Sequence, residues 1–261
     1  MGEDSKEMKP PSLSTVIIAQ DEVDRIGRLL QSLSFVDEIV VVDSGSTDGT
    51  QRLCEQSGAR VVHHPWPGFA AQKQFALEQA TGEWVLNLDA DEAVPADLAA
   101  DIQAAIRKAP ASTAGYEMPR LSRYLGRWIR HGGWYPDRQL RLVRNGRAQW
   151  KQSDLHERLV VDGDVSRLDS PLHHFVYRDI SDQIRTIDRY SSIHAHSHGP
   201  AAALYAVWGV FRAVGKFLEC YLWKLGLLDG IPGLIIAMNS SWYVFLKHAK
   251  AWEQSIPETL P

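Results

Sequence analysis

Apolar runs alternate with amphipathic segments between residues 13 and 106. The first run, Leu13–Ala19, is β-branched and apolar, and residues 23–33 after it carry apolar side chains at helical spacing. The same alternation continues with predicted strands at 38–42, 60–63 and 84–88 and predicted helices ending near Ser57 and covering 69–80. Strands that alternate with helices at this spacing indicate βαβ units. The pattern predicts an α/β fold with a mostly parallel sheet flanked by helices.

The alternation is lost after Pro110, where Gly, Arg and aromatic residues become frequent. Short strands are expected at 115–119, 138–143 and 156–161, within irregular structure at the sheet edge, and the chain turns helical from Tyr190 onward. We therefore expect a leader at residues 1–11, an α/β domain at 12–199 and a C-terminal helical region at 200–261.

The C-terminal region has a strongly amphipathic pattern. At about 100° per residue, residues 204–225 collect Val207, Val210, Phe211, Val214, Phe217, Leu218, Tyr221, Leu222 and Leu225 on one face. Arg212, Lys216, Glu219 and Lys224 lie opposite. This pattern is typical of a helix at a membrane interface, although any amphipathic helix can pack on a neighbouring domain. Residues 231–246 are uncharged but shorter than the ~20 residues that a membrane span needs. We expect peripheral membrane association without a true span.

Composition narrows the class of protein only slightly. The net charge of -4 does not indicate nucleic-acid binding, and the two cysteines, Cys54 and Cys220, lack metal-binding or redox spacing. Residues 1–11 are polar and without an apolar core, so we expect a short disordered leader and no secretion signal.

The segment that follows the predicted strand at 84–88 carries three carboxylates, Asp89, Asp91 and Glu92, within four residues. Carboxylates so close together repel each other unless water or a cation separates them. Oxygen-rich sites suit Mg²⁺ or Mn²⁺, which commonly bridge a protein to substrate phosphates. The alternative is a solvated turn, with Glu92 favouring the start of the helix after Pro95.

A second acidic loop, residues 43–50, follows the predicted strand at 38–42 and has no P-loop lysine. Ser46 or Thr47 can cap the next helix, but Asp43 is not needed for capping and can accept hydrogen bonds from a nucleobase or a ribose. Asp43 and Asp89 both stand at carboxyl ends of strands, where α/β sheets bind ligands.

The opening strand with Gln20-Asp21-Glu22, the Asp43 loop and the turn Asp89-Ala90-Asp91-Glu92 resemble glycosyltransferase family 2, which has the GT-A fold. The resemblance implies that Glu22 and Asp43 hold the nucleobase and ribose. It also implies that Asp89 reaches the ribose or the metal, and that Asp91 coordinates a divalent cation, Mg²⁺ or Mn²⁺. Lys73 then stands as a candidate donor contact, or alternatively as a solvated lysine on an amphipathic helix.

Two later segments, 132–144 and His156-Glu157-Arg158-Leu159, are similar to a branch of that family that includes transferases acting on the lipopolysaccharide inner core. Sugar transfer with inversion, which the resemblance implies, needs a general base for the acceptor hydroxyl. Glu157 is the first candidate and Asp137 the second. The alternative for Glu157 is an ion pair with Arg158 or a charge at a sheet edge.

Basic residues and late histidines complete the candidate site. Arg141 and Arg144 are candidates for neutralising the donor diphosphate, because guanidinium groups bind phosphate bidentately. His173 or His174 could complete the metal site, or could be an ordinary buried or edge histidine.

We therefore expect an enzyme that moves a sugar from a nucleotide-sugar donor, with UDP-sugars favoured, to a lipopolysaccharide core or another lipid-linked saccharide. It would act at the cytoplasmic face of a bacterial inner membrane, without nucleic acid and as a possible homodimer. The alternatives are a nucleotidyltransferase, against which the acidic segment 20–22 argues, and a catalytically silent saccharide- or nucleotide-binding module.

Overall fold

The computed structural model describes residues 10–152, 157–199 and 201–256. Most of the predicted leader, and His156 of the predicted strand at 156–161, lie outside the described residues. The chain forms two compact units. The first comprises the described residues up to Arg120 together with Arg138–His174, and the second comprises Leu121–Asp137 and the described residues from Phe175 onward.

The secondary structure up to His174 follows the predicted alternation and then a series of short strands. In chain order the elements are β1 (Leu13–Ala19), α1 (Val23–Gln31), β2 (Glu38–Asp43), α2 (Thr50–Gln56), β3 (Arg60–His63), α3 (Phe69–Glu78), β4 (Trp84–Asp89), β5 (Glu92–Ala93), α4 (Ala96–Lys108), β6 (Thr113–Tyr124), β7 (Arg127–Trp128), β8 (Asp137–Arg144), β9 (Ala148–Gln152), β10 (Glu157–Val161), β11 (Asp164–Arg167) and β12 (Leu172–His174).

The main sheet has the strand order β3-β2-β1-β4-β8-β6-β12-β5. Strands β3, β2, β1 and β4 are parallel, whereas β8 runs antiparallel to β4. The predicted α/β class with flanking helices is therefore confirmed, and the sheet is parallel in its first half and mixed overall. In register, Ala19 pairs with Asp43 and Ile18 with Asp89. The two acidic strand ends consequently flank the end of β1 at one edge of the sheet.

The core of the first unit lies on both faces of the parallel strands. Val40, Val41 and Val42 of β2 are fully buried, which a central parallel strand with helices on both faces requires. The helix α4 adds Leu98, Ile102 and Ile106 at i, i+4 and i+8, and all are buried. This packing holds the carboxyl ends of β1, β2 and β4 in fixed positions.

The second unit is mainly helical. Its helices are α5 (Ile180–His198), α6 (Ala203–Leu218) and α7 (Gly230–Glu253), and a π-helical turn (Glu219–Trp223) and a 3₁₀ turn (Gly226–Asp229) join α6 to α7. The predicted boundary at 199/200 differs from the division of the units, because α5 packs on α7. The ammonium of Lys250 lies 2.6 Å from the carboxylate of Asp188, and Asn239 donates a hydrogen bond to Gln183.

The helix α6 leaves its predicted apolar face in solvent. Small residues, Gly209 and Ala213, are buried, and a Cβ at Gly209 would lie 2.5 Å from Cβ of His248 in α7. Close packing of α6 on α7 therefore uses the small residues. The large apolar residues of α6, such as Phe211 at 65% exposure, remain accessible.

No single helix among the described residues is long and apolar enough to cross a membrane. One pair of helical segments is long and apolar enough when the two are taken together, by length and composition only. The pair consists of Ala203–Trp223 and Gly226–Glu253, which are bent by 68° relative to each other.

Candidate active site

The carboxylate of Asp89 stands between two cations at the end of β4. Its Oδ1 lies 2.9 Å from Nζ of Lys73, and its Oδ2 accepts a hydrogen bond from the guanidinium of Arg141. Burial acts against ionisation of Asp89, but the positive charges of Arg141 and Lys73 outweigh burial and hold the pKa of Asp89 well below its ordinary value. Asp89 is therefore a permanently charged carboxylate whose two oxygens both face cations.

Lys73 of α3 joins Asp89 to Glu157, the first described residue of β10. Its Nζ donates a hydrogen bond to Oε1 of Glu157 at 2.9 Å and lies 4.8 Å from the ring centroid of Trp150. Trp150 is held in turn, because its Nε1 donates to Oδ1 of Asn87 at 3.2 Å. The antiparallel pair β9–β10 thus carries Glu157 to the strand end that bears Asp89.

The ion pair with Lys73 keeps Glu157 ionised. Burial acts to raise the pKa of Glu157, but the positive charge of Lys73 and the hydrogen bond that it donates outweigh burial and lower the pKa. A half-buried carboxylate that is ionised at neutral pH can accept a proton from a hydroxyl.

Arg141 is almost fully buried and donates hydrogen bonds to the acidic turn. Its guanidinium donates to Asp89 and, at 2.6 Å, to Oε1 of Glu92, while Oε2 of Glu92 accepts the backbone N–H of Asp89 at 2.9 Å. These bonds fix the Asp89–Glu92 turn. Glu92 has 1% exposure, so its predicted role in a solvated turn is wrong, and it acts as an internal partner of Arg141.

A second group forms around Asp91. The Nε2 atom of His174, at the end of β12, lies 3.5 Å from Oδ2 of Asp91, and the guanidinium of Arg25 lies 3.5 Å from the same oxygen. Arg25 also lies 3.7 Å from Oε2 of Glu22. The chain Glu22–Arg25–Asp91 thus brings the predicted donor residue Glu22 to the acidic turn.

The Asp91–His174 pair fits one side of a divalent-cation site. Neighbouring ligands at Mg²⁺–oxygen distances of about 2.1 Å stand roughly 3 Å apart, close to the observed 3.5 Å separation. No group of three or more His, Cys, Asp or Glu side chains suited to a metal occurs in the described ranges. A cation held by Asp91 and His174 would therefore complete its coordination with substrate phosphate and water, as Mg²⁺ and Mn²⁺ commonly do. Because both oxygens of Asp89 face cations, the fit favours Asp91 and His174 over Asp89 as ligands.

The carboxylate of Asp43 is fully buried and accepts hydrogen bonds from its own loop. Its Oδ1 accepts the backbone N–H groups of Gly45 and Ser46, each at 2.9 Å, and Oδ2 accepts the hydroxyl of Ser46. Burial acts to raise the pKa of Asp43, but these hydrogen bonds outweigh it and lower the pKa. Asp43 shapes the loop 43–50 on the other side of β1 from the acidic turn, and its contact to a nucleobase or ribose stays a prediction.

Arg144, a predicted site residue, does not join this group. The guanidinium of Arg144 lies 2.7 Å from Glu83 and stacks over the ring of Trp84 at 4.6 Å. Trp84 is five residues before Asp89 on β4, a distance of roughly 17 Å along a strand. The structure therefore does not support a donor-binding role for Arg144. Asp137 is the first residue of β8 and falls in the second unit, and its role as an alternative base stays a prediction.

Comparisons with known proteins identify the family of the chain. The family model described as glycosyl transferase family 2 matches residues 14–159. The lipopolysaccharide core biosynthesis glycosyltransferase LpsC of Rhizobium meliloti (strain 1021) is 33% identical over 263 residues, which cover 95% of each chain. An uncharacterised glycosyltransferase of Rickettsia felis is 44% identical over 92 residues, 35% of this chain and 32% of that relative.

One similar solved structure is that of glucosyl-3-phosphoglycerate synthase from Mycobacterium tuberculosis. That protein was crystallised with Mn²⁺, uridine diphosphate and glucosyl-3-phosphoglycerate. The match has 28% identity and a TM-score of 0.36, and it covers 43% of this chain and 44% of that one. The match over residues 14–159 and the similarity to LpsC over 95% of each chain establish the family. The chain is a nucleotide-sugar-dependent glycosyltransferase and belongs to glycosyl transferase family 2.

Proposed function

We propose that this glycosyltransferase moves a sugar, with inversion and with a divalent cation, from a nucleotide-sugar to a saccharide of the lipopolysaccharide core. The observation that carries the proposal is the contact of Lys73 with both Asp89 and Glu157, 2.9 Å in each case, at the strand end that also bears Asp91. Similarity to LpsC over 95% of both chains supports the acceptor class.

Glu157 is the proposed general base. In an inverting transfer it takes the proton of the acceptor hydroxyl, while the acceptor oxygen forms a bond to the anomeric carbon and the bond from that carbon to the diphosphate oxygen breaks. The proton ends on the Glu157 carboxyl group, and the nucleoside diphosphate leaves with the electron pair of the broken bond.

Lys73 and the Asp91–His174 pair are proposed to serve the diphosphate. The Lys73 ammonium has three N–H donors and contacts two carboxylates, so an exchange of one partner for a phosphate oxygen keeps its charge compensated. A cation held by Asp91 and His174 would neutralise charge on the departing diphosphate. Arg141 donates hydrogen bonds to Asp89 and Glu92, so its proposed role is to support the turn, in place of the donor contact that the sequence predicts.

Replacement of Lys73 by Met should shift the pH dependence of transfer. Lys73 lowers the pKa of Glu157, so the pKa of Glu157 rises when Lys73 is replaced. As the pH falls, the Glu157 carboxylate of the variant therefore takes up its proton at a higher pH than that of the wild type. We expect the acidic limb of the kcat profile to move to higher pH, and donor affinity to fall by about tenfold or more, because hydrogen bonds to charged groups contribute ~1.5–3 kcal/mol. Lys151→Met, which removes the same charge from an exposed position of β9, is the control. An acidic limb that stays in place in Lys73→Met would contradict the pairing.

Titration calorimetry with a panel of UDP-, GDP- and TDP-sugars, in Mn²⁺ or in EDTA, tests the donor part of the proposal. Tight binding of one nucleotide-sugar class in Mn²⁺ only is the expected result. Binding that EDTA leaves unchanged would remove the metal from the proposal, and no binding of any donor with or without the acceptor would reject the proposed chemistry.

We also propose that the second unit rests on a membrane surface. Large apolar side chains are exposed on α6, on the π-helical turn and on α7, among them Leu204 at 77%, Trp223 at 87% and Ile231 at 74%. Exposed large apolar side chains in such numbers are typical of an interaction site, and helices with an apolar face bind at the membrane interface.

A further inference from the structure

A cleft of about 700 Å³ opens between α6 and α7, within the second unit. Arg212, Lys216 and Glu219 line it at i, i+4 and i+7, and Tyr243 and Lys247 line it from α7 at i and i+4. Arg212 and Lys216 of α6 share one face of that helix, as do Tyr243 and Lys247 of α7, and Glu219 is the first residue of the π-helical turn that follows α6. We call this cavity the basic cleft.

The basic cleft carries more positive than negative charge. It holds the three cations Arg212, Lys216 and Lys247, but Glu219 is its one carboxylate. Glu219 is already paired with Lys216 at 3.1 Å and with Lys224 at 2.6 Å. Arg212 has no carboxylate partner among the residues that the structure describes, and Lys247 lies over the ring of Tyr243 at 4.7 Å. Two cations in the cleft are thus left without an anion.

The ammonium of Lys247 is destabilised in its charged form. Burial lowers the pKa of Lys247, and the positive charges of Arg212 and Lys216 lower it further. An anion in the cleft would relieve both effects, because it would compensate the three like charges and replace the lost hydration.

An apolar groove of about 480 Å³ adjoins the basic cleft and shares Gly215 and Glu219 with it. Leu218, Leu222 and Trp223 supply its apolar wall, and Trp223 is 87% exposed. A ligand that fits both spaces carries a negative charge at one end and a hydrocarbon chain at the other. Basic pockets between helices at a membrane surface bind such lipid headgroups.

We propose that the basic cleft binds the phosphate of an anionic phospholipid, with an acyl chain of that lipid lying in the adjoining apolar groove. Arg212 and Lys247 donate hydrogen bonds to the phosphate, since guanidinium and ammonium groups are the hydrogen-bond donors with which proteins commonly bind phosphate. The inference rests on the membrane-surface part of the proposed function, and it adds a lipid class and a site.

Co-sedimentation of the full chain with vesicles of phosphatidylcholine, with or without phosphatidylglycerol, tests the proposal. We expect phosphatidylglycerol to strengthen binding by about tenfold or more, the gain expected from hydrogen bonds to a charged group at ~1.5–3 kcal/mol. The double variant Arg212→Gln/Lys247→Gln should lose this gain and bind both kinds of vesicle like phosphatidylcholine alone. Arg189→Gln, an exposed residue of α5 outside the cleft, should keep most of it.

A second variant separates a defined site from diffuse attraction between charges. Gly215 lines the cleft, and a Cβ at this position would meet no atom within 4 Å. Gly215→Leu therefore fills part of the cleft without a change in charge, and leucine favours the helix more than glycine does. We expect Gly215→Leu to lose the gain from phosphatidylglycerol as well. Retention of the full gain in both cleft variants, or an equal loss in Arg189→Gln, would overturn the proposal.

Titration of the nucleotide-sugar donor on the same protein preparations distinguishes failure of the lipid site from failure of the proposed function. Wild-type protein that binds both kinds of vesicle equally, with intact donor binding, would overturn the lipid site and leave membrane association in place. Binding to neither kind of vesicle would overturn the lipid site and the membrane surface together, while the sugar-transfer proposal would stand.

Discussion

The Glu157→Gln variant should bind the nucleotide-sugar as the wild type does and transfer the sugar about 10² to 10⁴ times more slowly, the usual contribution of a general base. The glutamine amide has the shape of the carboxyl group and its oxygen still accepts the Lys73 hydrogen bond, which spans 2.9 Å in the wild type. The variant loses only the capacity to take a proton. Steady-state kcat with a saturating acceptor, together with donor affinity by calorimetry, measures the two effects separately.

Glu83→Gln is the matched control for this experiment. Glu83 immediately precedes β4 and pairs with Arg144, at the opposite end of the strand from Asp89, so turnover should be unaffected. If Glu157→Gln keeps its turnover and Asp137→Asn loses it, the base is Asp137 and the assignment of Glu157 is wrong.

Removal of either proposed metal ligand should abolish the effect of the metal on donor binding. We expect Asp91→Asn and His174→Asn to weaken the binding of the nucleotide-sugar in Mn²⁺ by more than about 100-fold, since even the outer partners of metal ligands cost 10–100-fold. Both variants should bind the donor in EDTA as weakly as the wild type does. Calorimetric titration of the donor at fixed Mn²⁺ checks both.

His173→Asn is the control for His174, because neighbouring residues of a strand point to opposite faces. It changes the same side chain one position away on β12 and should leave the metal dependence intact. Wild-type affinity of Asp91→Asn for the donor in Mn²⁺ would reject the ligand pair.

The sequence pattern was sufficient to predict which residues end the parallel strands. Asp43 and Asp89 follow apolar runs, and their meeting beside β1 is a consequence of parallel pairing. The contact of Lys73 with Glu157, which are 84 residues apart, has no local signal. It depends on how the pair β9–β10 packs against α3, and only the family resemblance placed both residues near the donor.

Arg144 shows why a strand pattern is insufficient for a site. Alternation indicates the side of a strand on which a residue lies, but the end of the strand that it occupies depends on the direction of its partner. Because β8 runs antiparallel to β4, Arg141 comes near the end that bears Asp89, and Arg144 pairs with Trp84 at the other end. The burial of Glu92 likewise has no local signal, since it depends on its distant partner Arg141, which is buried with it.

The configuration of the transferred sugar tests the central claim most directly. Wild-type enzyme, a nucleotide-sugar donor and lipopolysaccharide truncated in its core are incubated with Mn²⁺ or EDTA, and the anomeric proton of the product is observed by NMR. We predict a product with the anomeric configuration opposite to that of the donor, formed with an equal amount of nucleoside diphosphate, and only in Mn²⁺. A product of retained configuration, or turnover that EDTA does not change, would contradict the account.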